Sequence, residues 1–106
     1  MSRDPLEIRI EILKYVYRLT DMTSNKYVKI FPDQIEGYFY NDMKQELQIL
    51  KEKGLLDYTS SFLGRSFQIM MTEKGIKFVT DGYGILSLPE GQKKQALSNH
   101  LSALKI

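Results

Sequence analysis

Cysteine is absent from the 106-residue chain. That excludes a disulfide framework and any thiolate metal site, and it suits a reducing compartment. Long hydrophobic runs are absent too. No apolar stretch approaches the ~18–20 residues that cross a bilayer, so no membrane partner is expected. The opening MSRDPLEIRI lacks a basic segment followed by an apolar run; no secretory leader is expected, and a cytoplasmic location is. Histidine is nearly absent. His100 stands alone between Leu97 and Leu101. One histidine among scattered carboxylates matches no metal-ligand spacing, and no nucleophile motif accompanies it. The glycine-containing DGYGILSLPEG fits neither a phosphate loop nor a dinucleotide fingerprint. Neither an enzyme nor a cofactor is expected, and His100 is assigned to a helix surface or interface.

A strong charge of either sign is also missing. The 15 basic and 13 acidic residues leave a net charge of +2, which decides little about nucleic acid. The distribution says more: residues 1–25 balance, residues 26–60 sum to −1, residues 61–80 to +2 and residues 81–106 to +1.

What is present is a succession of short elements. Asp4 is placed to cap a helix, Pro5 suits its first position, and Glu7 follows three residues after the cap. In PLEIRIEILKYVYRL, Leu6, Ile10, Leu13 and Tyr17 form one apolar stripe. Ile8, Ile12, Tyr15 and Leu19, with Val16, form another on nearly the opposite side, and Glu7, Glu11, Lys14 and Arg18 share a narrow charged strip. Such a helix is expected between a core and a second layer. KYVKIF has extended character. A second helix is predicted over Pro32–Tyr40, with Ile35 and Phe39 inward and Gly37 weakening it. A third, capped by Asn41 or Asp42, runs to about Lys53 with Met43, Leu47 and Leu50 inward, and Gly54 suits the left-handed position past its end. LLDYT and SFQIMM read as two strands of a hairpin, the second turning Phe67, Ile69 and Met71 inward. Thr72 caps a short helix, YGILSLPEG is a connector, and from about Glu90 a last helix carries Leu97, Leu101 and Leu104 on one stripe. The aromatic residues Tyr15, Tyr17, Tyr38, Phe39 and Tyr40 are assigned to core packing rather than to a ligand pocket.

The order helix, strand, helix, helix, hairpin resembles a winged helix-turn-helix domain. MKQELQILKEKGLLDY followed by FQIMMTEKGIKFV is similar to the reading-helix end and wing of MarR-like and PadR-like bacterial regulators, through Leu50, Gly54 and Leu55, then Met71, Thr72 and Gly75. The resemblance spans about residues 5–80, and these residues are architectural. It implies a mainly α fold with a small β-hairpin (α+β): a winged helix-turn-helix domain over residues 1–80, then a connector and C-terminal helix over residues 81–106 for dimerisation.

In such a fold the third helix enters the major groove. Its outward residues are Asn41, Asp42, Gln45, Gln48, Ile49 and Glu52, with Lys44 on a flank. Asn41, Gln45 and Gln48 are candidate base readers, since amides pair with adenine N6 and N7. Lys44, Lys26 and Lys29 are candidate phosphate contacts, and Arg65 of the wing is a candidate for the backbone or minor groove. Asp42, Glu46 and Glu52 oppose phosphate, and Asp42 is better read as a cap. Roughly four to six phosphate contacts per subunit suffice only if two subunits bind together. The resemblance implies a homodimer, with Ile8, Ile12, Tyr15, Leu19, Leu97, Leu101 and Leu104 as its candidate interface. The function expected is a sequence-specific, dimeric regulator of transcription on double-stranded DNA. The alternative is a winged-helix module that binds a protein partner, suggested by the outward Ile49 and the net −1 charge of residues 26–60.

Overall fold

The computed structural model describes residues 4–21, 23–34, 40–61 and 66–105, with the side chains of Tyr40 and Asn41 excepted. Among them are four α-helices and one three-stranded antiparallel sheet.

Helix α1 spans Pro5–Leu19. The Asp4 carboxylate accepts from the Leu6 N–H at 3.0 Å, and Pro5 begins the first turn as expected. Both apolar stripes are used within one chain. Ile8, Ile12 and Val16 are fully buried, Leu13 and Tyr17 nearly so, with further helices and the sheet packed around them.

Strand β1 (Tyr27–Ile30) leads into a turn of 3₁₀ helix at Pro32–Gln34, closed by the Gln34 side chain, which accepts from the Phe31 N–H at 2.7 Å. The rest of the expected second helix, with Ile35, Gly37, Tyr38 and Phe39, lies outside the described residues. Helix α2 spans Tyr40–Glu52 and is the expected third helix. Because Tyr40 is already helical, Asn41 and Asp42 lie inside the first turn and neither is the cap. Asp42 instead places its charge at the positive end of the helix dipole. Met43, Leu47 and Leu50 are fully buried, as their spacing predicts.

Gly54 ends the helix with φ +78°. The Gly54 N–H donates to the Lys51 carbonyl and the Leu55 N–H to that of Leu50, so the chain reverses with its last carbonyls satisfied. Strands β2 (Leu56–Ser60) and β3 (Phe67–Met71) follow, and β3 is central in the order β1–β3–β2. Val28, Ile69 and Tyr58 align in one cross-strand row; Lys29, Gln68 and Thr59 align in the next. Neighbouring rows face opposite sides. Phe67, Ile69 and Met71 all point into the core.

Thr72 caps helix α3 (Glu73–Ile85), accepting from the Gly75 N–H at 3.0 Å. This helix is longer than the sequence suggests. Gly82 and Gly84 cost it only about 1 kcal/mol each, against packing of Val79, the Tyr17–Thr80 hydrogen bond and the Tyr17–Tyr83 ring contact. The expected division at residues 80/81 therefore falls inside a continuous helix. Helix α4 (Glu90–Leu101) packs on α3 and ends in a 3₁₀ turn, Ser102–Leu104.

That turn corrects the expected dimer interface. Leu104 is fully buried in its own chain's core, as are Ile8 and Ile12, so these three have no surface to offer a second subunit. Leu19 is 44% exposed, whereas Tyr15, Leu97 and Leu101 are half-buried.

Candidate functional site

Burying Met43, Leu47 and Leu50 turns Lys44, Gln45 and Gln48 outward, and all three are exposed. Asp42, Lys51 and Glu52 are exposed on the same helix, and Ile49 is half-buried. With Tyr58 of β2, the residues Lys44, Gln45, Gln48, Ile49 and Glu52 border an open groove of about 420 Å³.

Three of these side chains are engaged with one another. Tyr58 donates its hydroxyl to Gln48 Oε1 at 2.9 Å, and Gln48 Nε2 donates to Glu52 Oε1 at 3.2 Å. Nearby, the Lys51 ammonium lies 3.2 Å from Asp57 and 5.6 Å from the centre of the Tyr58 ring. The Lys51 hydrogen bond is the main reason the Asp57 carboxyl is held below the usual aspartate range; the Tyr58 N–H and Tyr27 hydroxyl assist, and partial desolvation opposes them.

Other expected site residues do not join this group. Lys29 is exposed, but its row places it on the sheet face opposite Tyr58, with its ammonium 5.3 Å from the Phe31 ring. Lys26 is exposed just before β1, at the edge of the sheet remote from β2. Arg65 and the Asn41 side chain lie outside the described residues. The hairpin serines serve the turn: the Ser61 N–H donates to the Ser66 carbonyl, and the Ser66 N–H to Ser61 Oγ.

Glu46 is not a surface carboxylate. It is buried against Arg9, with Arg9 Nε 2.6 Å from Glu46 Oε2, and Arg9 Nη1 also donates to the Leu104 carbonyl at 2.8 Å. Sequence reasoning passed over Arg9. The available signal was its place among Leu6, Ile12 and Leu13, one turn away on either side, just as Glu46 lies between Met43 and Leu50.

His100 stacks on Phe78 with ring centres 4.0 Å apart, beside a cleft of about 190 Å³ between α1, α3 and α4. It occupies an interface within the chain. The aromatic residues of α1 diverge: Tyr17 meets Thr80 and Tyr83, whereas Tyr15 accepts from Gln34 at 2.7 Å. Among the described residues no cluster of side chains could hold a metal ion, and no helix is long and apolar enough to cross a membrane. No known protein family, curated protein or solved structure matches this chain.

Proposed function

We propose that this chain is a winged helix-turn-helix regulator of transcription that binds double-stranded DNA as a homodimer. Helix α2 lies in the major groove, the β2–β3 hairpin serves as the wing, Arg65 is a further candidate DNA contact, and the protein acts in the cytoplasm. The observation that supports this most is topological. A strand between α1 and α2 pairs with the far strand of the hairpin, in the order β1–β3–β2, and α2 runs directly into β2. That leaves the polar stripe Lys44, Gln45 and Gln48 uncovered, with side chains suited to phosphate and base edges. Exposed Leu19, Tyr83, Leu86 and Leu88 offer apolar surface for a second subunit.

A second reading draws on Ile49, half-buried in the groove, on the Glu52 carboxylate that also borders it, and on Asp42, exposed on the same helix. These suit a protein partner better than a polyanion. Gel-shift titration separates the two. Lys44→Glu should weaken duplex binding by several-fold or more through phosphate repulsion, with Ile49→Ala much less harmful. A duplex affinity indifferent to Lys44→Glu, or no affinity at all, would favour the protein-binding module.

A further inference from the structure

The Gln48 carboxamide is held from two sides, and one bond determines the sense of the other. An ionised carboxylate only accepts, so the amide nitrogen must face Glu52 and the carbonyl oxygen must face Tyr58. Tyr58 is itself anchored. Its ring is buried on the core side of β2, in edge contact with Phe67 at 6.0 Å between centres.

A carboxamide has two donor hydrogens and two acceptor lone pairs. One of each is engaged here, so one N–H and one lone pair remain on an exposed side chain. A carboxamide edge that presents one N–H and one lone pair complements adenine, which offers N7 as acceptor and N6 as donor in the major groove. Guanine offers two acceptors, N7 and O6. A free glutamine can meet them by pointing both hydrogens of its amide nitrogen at the base; a tethered one keeps its carbonyl there and is repelled.

We infer that Tyr58 and Glu52 are positioning residues that fix Gln48 as an adenine reader, an inference that rests on the DNA-binding function proposed above. The tether also removes part of the rotamer entropy that a free glutamine loses on contact.

Selection from a randomised duplex pool tests this, using the intact chain and the Gln48→Ala, Tyr58→Phe and Glu52→Gln variants, each checked for retained helicity. The readout is the adenine-to-guanine ratio at each position within one pool, which a uniform loss of affinity does not move. The intact chain should prefer adenine at one position by roughly tenfold. Gln48→Ala should abolish that preference. Tyr58→Phe and Glu52→Gln should each lower it to about threefold or less. An undiminished preference in both variants overturns the positioning role while leaving Gln48 as a reader. Duplex binding without adenine preference overturns the assignment to Gln48 and leaves DNA binding standing. Retention of no duplex at low salt overturns the proposed function, and the inference with it.

Discussion

Arg9 and Glu46 form a buried ion pair, with 2.6 Å between Nε and Oε2 and each side chain only 6% exposed. The same guanidinium donates to the Leu104 carbonyl. One side chain of α1 thus ties the exposed-faced helix α2 to the turn after α4. Such a pair adds little net stability, because desolvation offsets much of the attraction. Removing one partner is different. Glu46→Ala leaves a buried, uncompensated cation and should cost about 3–5 kcal/mol in urea unfolding. The double variant Arg9→Met/Glu46→Met should lose much less than the two single changes combined, and strict additivity would contradict the coupling.

Leu104 belongs to the chain's own core. Leu104→Ala should lower stability by about 2–5 kcal/mol through the cavity it leaves. The loss should be the same at low and high protein concentration. A loss that shrinks as concentration rises would place Leu104 between subunits instead.

Two glycines of α3 should respond oppositely to alanine. A Cβ at Gly75 would lie 1.9 Å from the Leu55 carbonyl oxygen, where α3 crosses the reversal after α2. Backbone cannot yield as a side chain can, so Gly75→Ala should destabilise by about 1–3 kcal/mol or more. A Cβ at Gly84 meets nothing within 4 Å, and Gly84→Ala should stabilise by about 0.5–1 kcal/mol. Thermal unfolding of the two variants checks both signs. A destabilised Gly84→Ala would contradict a helix that continues to Ile85.

These outcomes bear on what was legible in the sequence. Signals carried by neighbouring residues survived: the Asp4 and Thr72 caps, the left-handed Gly54, and the alternation of Phe67, Ile69 and Met71. Met43, Leu47 and Leu50 were equally readable, since a helical stripe needs only its own spacing. Contacts distant in sequence were not. Whether Ile8 and Ile12 face a second subunit or their own chain depends on α2 and the sheet, far along the chain. Arg9 and Glu46 are 37 residues apart, and each alone reads as a surface charge. At the candidate site, the exposure of Lys44, Gln45 and Gln48 followed from the stripe opposite. The tether on Gln48 did not, because Tyr58 reaches it from the next strand.

Asp57 gives a pH prediction. Its carboxyl is held below the usual aspartate range chiefly by the hydrogen bond from Lys51. A folded-state pKa below the unfolded one contributes stability above the unfolded value, and that contribution is lost as pH falls through the folded value. The Lys51–Asp57 pair is well exposed, so the effect on stability is small. An NMR titration should show the Asp57 midpoint rising toward the ordinary range in Lys51→Gln. An unmoved midpoint would mean that Lys51 is not the cause.

The most direct measurement for the account as a whole is a titration of the intact chain with mixed-sequence duplex DNA at two salt concentrations. Each phosphate neutralised contributes about −0.9 to the slope of log affinity against log salt. With Lys44 and Arg65 each meeting one phosphate on each of two subunits, the slope should be about −3.6. Tight binding at low salt that weakens along such a slope is the predicted result. No binding at low salt, or an affinity insensitive to salt, would contradict it.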